Sequence, residues 1–318
     1  METLTGHAGA ANIVLMDPTD LGQGAVCALG EGGGFAPPAT EPPFVLIEPL
    51  RRTSPLIFAS PHSGRRYPAE LLADARVSLI SLRRSEDAYV DELFAGAAAH
   101  GAAVLSATIA RAYVDLNRDP AELDPDMFDE RPPHSVHLTS ARVQAGLGAI
   151  PRVSGDGQNI YRRKLPLGDA ERRIAQVHRP YHAMLHNLVT ETREAFGCAV
   201  LVDCHSMPSS ARGAHAPDIV LGDRFGASCH PSVTALAEAT LRRLGYRVAR
   251  NAPFAGGHTT QTYGRPAHGV HALQIEINRA LYVDERTLER SNGYVRVRAD
   301  MSRLAEALNV AALHKSLA

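Results

Sequence analysis

Lysine is nearly absent from this chain: of 318 residues only Lys164 and Lys315 carry an ammonium group, against 31 arginines. A P-loop needs lysine directly after glycine, and neither lysine follows one, so that phosphate cradle is excluded. Schiff-base or pyridoxal chemistry would rest on one of two side chains and is disfavoured. Cysteine is scarce as well. Cys27, Cys198, Cys204 and Cys229 show no CxxC spacing and no zinc-finger clustering, and they read as reduced thiols. Net charge is small, with 33 basic and 34 acidic side chains, and 45% of residues are apolar. That balance favours neither general disorder nor polyanion binding, so nucleic acid is not an expected partner. The first 20 residues lack a basic stretch followed by an apolar one, and no run of about 18 apolar residues occurs, so a cytoplasmic protein without membrane attachment is expected. The pieces Gly22-Gln-Gly24 and Gly146-Leu-Gly148 lack the third glycine of a dinucleotide fingerprint, and no GxSxG elbow is present.

What is abundant is arginine, and most of it reflects a coding bias shared with alanine. An arginine placed inside a site is nevertheless a permanent, forked anion receptor. Residues 1–42 are rich in Gly, Ala, Pro and Thr and read as a weakly ordered extension, with a short structured piece at 12–16; residues 43–318 read as one catalytic domain. Within it, apolar runs of strand length recur at 55–60, 102–109, 198–205, 218–221, 246–250 and 272–278. Helical stretches are expected at 86–100, 169–196, 231–244 and 285–313, with Pro180 kinking or breaking the second. Strands alternating with helices imply an α/β fold with a parallel or mixed sheet. The irregular segment 121–167 is too long for an ordinary connection and belongs to the class of loops that carry function.

Polar residues interrupt four of the buried runs. Leu56–Ser60 closes on Pro61, His62, Ser63 and Gly64, placing a histidine beyond a strand's carboxyl end, where ligands gather in open α/β sheets. Residues 198–206 read CAVLVDCHS, and strand alternation sets Asp203 and His205 on one face with Cys204 on the other. That makes His205 a second strand-end histidine and argues against a Cys204–His205 nucleophile pair. Arg111, Asp115, Asn117 and Arg118 crowd one stretch with Tyr113, Val114 and Leu116 between them, which suggests semi-buried packing around arginines that need anions. In residues 272–278, ALQIEIN, Glu276 sits in an apolar strand, costly unless paired, protonated or set beside a metal's water. Each motif has a plainer reading: a loop-capping histidine, a surface loop of charges, or an edge strand with one wet face. His178, His182 and His186 fall at helical spacing, but no HExxH carboxylate accompanies them and they read as structural. His134 and His137 read as solvated or facing substrate.

Together, SPHSGRRYP (60–68), EDAYVDELF (86–94), ARAYVDLNRDP (110–120), VDCHSMPS (202–209) and YGRPAHGVHALQIEINR (263–279) resemble the N-formylglutamate amidohydrolase (deformylase) family in order and spacing. The resemblance runs from about Phe44 to the C-terminal helix. It implies a fold similar to zinc carboxypeptidases and aspartoacylases (phosphorylase/hydrolase-like), a single mixed β-sheet flanked by helices, with one zinc or other divalent ion. By the same resemblance His62 and His205 are ligands. Carboxypeptidases carry a ligating Glu three residues after the first histidine, but Arg65 stands there, so the carboxylate ligand is Asp87 or its neighbour Glu86. Glu276 is implied as general base, Arg111 as the oxyanion's partner, and Asn117, Arg118 and Arg265 as contacts to a small dicarboxylate substrate, with Asp203 orienting a ligand. The implied activity is hydrolysis of N-formyl-L-glutamate to formate and L-glutamate in histidine breakdown. An N-acyl amino acid deacylase or carboxypeptidase with the same site, or a silent binding protein for an amino-acid derivative, are the alternatives.

Overall fold

The computed structural model describes residues 12–14, 42–132, 140–209 and 217–313. Among these the strands are β1 (Asn12–Val14), β2 (Phe44–Glu48), β3 (Leu56–Ser60), β4 (Ala103–Ala107), β5 (Ala199–Met207), β6 (Ile219–Gly222), β7 (Val248–Arg250) and β8 (Val270–Asn278). They form one sheet in the order β1-β2-β4-β3-β5-β8-β6-β7. The expected single mixed sheet is therefore observed: β3 is parallel to β4 and β5, and β5 to β8, while β2 and β6 join this core antiparallel.

The central strands are buried along their whole length because helices cover both faces. Leu56 and Phe58 enter one apolar cluster with Val297, Met301 and Leu304, whereas Ile57 and Ala59 enter the other with Tyr181, Leu185 and Leu188. Alternation thus sends successive β3 side chains into two cores, one under the helix Tyr294–Leu313 and one under the helix Arg179–Phe196. Each fully buried Phe or Leu contributes about 2 kcal/mol through the area removed from water.

Four expectations change. β8 is interior, so the edge-strand reading of Glu276 fails. The stretch 86–100 yields only the short helix Val90–Phe94 and a 3-10 segment at Ala95–His100. Tyr89 holds φ at 63°, outside helical space, and prevents an earlier start. The last helix begins at Tyr294 because Asp284 caps the backbone N–H groups of Arg286 and Thr287 and Leu288 takes φ 58°, folding 285–293 into turns. Pro180 does not break its helix. A π turn at Ile174–His178 precedes it, with the Arg179 N–H donating to the Ile174 carbonyl, and this wider turn admits a proline that cannot complete an α turn. Among the described residues no helix is long and apolar enough to cross a membrane.

Candidate active site

Four adjacent parallel strands deliver the site. The carboxyl ends of β4, β3, β5 and β8 lie along one edge of the sheet. β3 leads into His62, β4 into the stretch from Arg111 to Arg118, β5 carries Asp203 and His205 near its end, and β8 carries Glu276. Register places His205 opposite Glu276 and Asp203 opposite Gln274, so these side chains share a face. Asp87 reaches the group from the loop before Val90–Phe94, its N–H bonded to the His62 carbonyl at 2.9 Å.

His62, Asp87 and His205 are buried, and one potential ligand atom from each lies within 4.8 Å of the others. His205 Nδ1 is 2.9 Å from Asp87 Oδ2, and His62 Nδ1 is 3.5 Å from the same oxygen. His62 Nδ1 is buried with no hydrogen-bond partner. Its other nitrogen, Nε2, lies 2.7 Å from Asp115 Oδ1, and His205 Nε2 lies 3.0 Å from Asp203 Oδ1. A carboxylate beside each Nε2 orients both rings so that their Nδ1 atoms face Asp87 Oδ2, the arrangement that orients metal-ligating histidines. Arg279 Nη2 at 2.9 Å and Ser206 Oγ at 3.1 Å hold the far oxygen of Asp87, leaving Oδ2 for the histidines. Burial would raise the Asp87 carboxyl, but the bond from His205 and the adjacent His62 imidazole outweigh it and hold it well below the usual range. Burial would lower His205; the Asp203 charge and bonds to Asp203 and Asp87 raise it well above an ordinary imidazole. An anionic setting of this kind suits a cation, and two nitrogens with one carboxylate oxygen are a donor set zinc accepts.

Glu276 is buried beside this group, with Oε1 accepting from Gln274 Nε2 at 2.8 Å. Burial, with Asp87 nearby and only partly offset by His205, pushes its pKa up to about 7. The same residues line a cavity of about 390 Å3. Its walls include Arg111, Arg118 and, from the irregular segment, Arg142 and Leu147. Arg111 Nε bonds Asp115 Oδ2 at 2.9 Å. Arg118 donates to the carbonyls of Leu147 and Asn117, both at 2.9 Å. Burial draws the Arg118 pKa down; Asp115 opposes this, and the neighbouring charges of Arg111 and Arg142 add to it. An anion beside these guanidiniums relieves that repulsion.

His62, Asp87, His205, Glu276, Arg111, Asn117 and Arg118 are thus brought to one cavity. Arg265 is not: its Nη1 donates to the carbonyls of Gln261 and Gly264, closing the C-terminal end of the helix His258–Tyr263. Asn117 lines the cavity, but its amide is already engaged. Nδ2 lies 3.0 Å from His205 Nε2 and donates to Asp203 Oδ2 at 3.3 Å, while Oδ1 accepts from the Thr259 N–H at 2.8 Å. Gly257 packs so tightly on this amide that a Cβ would stand 2.4 Å from Nδ2. Glu86 bonds Tyr67 and Arg83 and does not line the cavity, whereas Asp87 does. Sequence reasoning missed the backing role of Asp115 and the parts played by Arg279 and Arg142. Asp115 and Arg279 stand within quoted motifs, and the cost of burying a charge was their signal. His134 and His137 lie outside the described residues.

A second histidine group lies behind the stretch bearing Asn117. His178, His182 and His258 also present nitrogens within 4.8 Å of one another. Burial lowers all three, His182 to about 3, so they are neutral imidazoles. His186 is exposed and takes no part.

A parallel-cored sheet that brings two carboxylate-backed imidazoles, a shared carboxylate and a buried glutamate to one cavity marks a hydrolase acting on an amide. Residues 54–283 match the N-formylglutamate amidohydrolase family. The chain belongs to that family. It is 33% identical over 242 residues to an N-formylglutamate deformylase of Pseudomonas aeruginosa, covering 73% of this chain and 83% of that protein. It is 34% identical over 245 residues to one of Pseudomonas putida, covering 73% and 82%. The crystal structure of an N-formylglutamate amidohydrolase from Ralstonia eutropha JMP134 superposes with a TM-score of 0.82 at 36% identity, covering 86% of this chain and 99% of that one.

Proposed function

We propose that this protein hydrolyses the formamide of N-formyl-L-glutamate, giving formate and L-glutamate, as a step of histidine breakdown, with zinc held by His62, Asp87 and His205. The observation that carries the reading is the buried, unbonded His62 Nδ1, converging with His205 Nδ1 on Asp87 Oδ2 beside Glu276. A divalent ion there supplies Lewis acidity toward the formyl carbonyl and lowers the pKa of water.

The chain's own groups do the rest. Glu276, poised at about 7, takes a proton from the attacking water on the carboxylate oxygen that Gln274 leaves free and returns it to the departing amine. The bond formed joins water oxygen to the formyl carbon; the bond broken is carbon to nitrogen. Arg111, fixed through Nε to Asp115, keeps its terminal nitrogens for the developing oxyanion. Arg118 receives a substrate carboxylate, and Arg142 on the same wall supplies the second positive charge that a dicarboxylate calls for. Asn117 holds Asp203 in place rather than meeting the substrate.

The test is turnover by purified, zinc-loaded protein of N-formylglutamate against N-acetylglutamate and N-formyl derivatives of neutral amino acids. Hydrolysis strongly favouring N-formylglutamate is expected. No hydrolysis with zinc bound, or equal rates on neutral derivatives, would overturn the assignment.

A further inference from the structure

The His178, His182 and His258 group has the spacing of an ion site, but its nitrogens are already assigned. His182 Nε2 lies 2.7 Å from the Leu116 carbonyl, and His178 Nε2 lies 2.9 Å from the Arg118 carbonyl. A carbonyl only accepts, so both nitrogens carry the proton and neither can bind a cation. His182 Nδ1 lies 3.0 Å from the Tyr263 hydroxyl, which also donates to the His182 carbonyl at 3.1 Å. Among the described residues the His258 nitrogens have hydrogen-bond contacts of 3.3 and 3.5 Å to Thr262 Oγ1, and its ring packs on His178 and His182. Two of the three imidazoles are therefore hydrogen-bond donors to the main chain.

The carbonyls they hold flank Asn117. On one side of that residue stands the peptide of Leu116, on the other that of Arg118, and both are tied to a helical segment that packs on the sheet. Asn117 in turn donates to Asp203, the carboxylate behind His205, and Arg118 lines the cavity. We propose that His178 and His182 are positioning residues: they fix the main chain on both sides of Asn117 and thereby set the reach of Arg118 into the substrate cavity. This rests on the hydrolase reading above. Neither imidazole touches the cavity, so each acts through the backbone it holds. The π turn at Ile174–His178 sets where His178 stands relative to His182 one turn on.

The experiment compares His182→Ala, His178→Ala and His182→Gln in the full-length, zinc-loaded protein. It reads kcat, KM for N-formylglutamate, bound zinc and thermal midpoint. Loosening Arg118 removes binding common to ground and transition states, so the alanine variants should raise KM about tenfold or more with a smaller change in kcat and parental zinc content. His182→Gln, whose amide N–H can reach the Leu116 carbonyl, should recover most of the KM. If His182→Ala does not fold, His178→Ala and His182→Gln decide the matter by the same readings. Parental KM in the alanine variants, or a glutamine variant no better than alanine, would overturn the proposal. So would a second bound zinc lost in His182→Gln, which would make the group an ion site. A parent that binds zinc but turns over nothing would sink the hydrolase reading itself, an outcome distinct from an active parent with insensitive variants.

Discussion

Two trios in this molecule have the spacing of a metal site, and their neighbours give them opposite chemistry. His62, Asp87 and His205 are backed by Asp115, Asp203 and Arg279, and the anionic setting raises His205. His178, His182 and His258 meet two main-chain carbonyls and hydroxyls, and burial lowers all three. The first arrangement brings two ring nitrogens and a carboxylate oxygen to one point. The second spends its N–H groups on peptide oxygens. Distances between imidazoles therefore say little until the partner of each remaining nitrogen is known.

The sharpest way to break this contrast is to remove one member of each trio. His205→Ala should abolish both zinc binding and turnover, whereas His258→Ala should leave bound zinc at the parental level, read by metal analysis of the purified proteins. Next in size, Glu276→Gln should lower kcat by about 10²- to 10⁴-fold while zinc is retained, the range of a lost general base. The base works deprotonated and its pKa stands at about 7. The parental rate should therefore fall as pH drops through that value and level off above it, and the glutamine variant should lose this limb.

Smaller effects separate the backing groups. Asp203→Asn should weaken zinc affinity by about 10- to 100-fold. Tyr263→Phe, which removes the hydroxyl beside His182, should leave it unchanged by competition against a chelator. Smallest of all, Arg118→Lys should raise KM about tenfold through one lost charged hydrogen bond of roughly 1.5 kcal/mol. The same change at Arg242, whose partners are Glu238 one turn back on its own helix and the Val248 carbonyl of β7, should be silent, and equal effects at the two positions would undo the division of the arginines.

Much of this site is legible in the sequence. Strand alternation placed Asp203 with His205, and the apolar run around Glu276 marked a buried acid. His62 stood at a strand's carboxyl end. The rest depends on contacts between residues far apart in the chain. Arg279 meets Asp87 across 192 positions, and Asp115 backs His62 across 53. Arg265 misled because it neighbours β8 in sequence, yet its side chain turns back on the helix before it. Helix lengths were overestimated where Tyr89 and Leu288 adopt positive φ, a backbone choice that neither side chain signals.

Gly257 carries a consequence for how such a chain changes over generations. Its φ of −105° would suit any residue, and what closes the position is occupancy, since the Asn117 amide fills the space a Cβ would need. Positions 117 and 257 therefore cannot drift independently. A side chain at 257 would have to displace the Asn117 amide, and with it the contact to Asp203, so substitutions at 117 and 257 are expected to be non-additive.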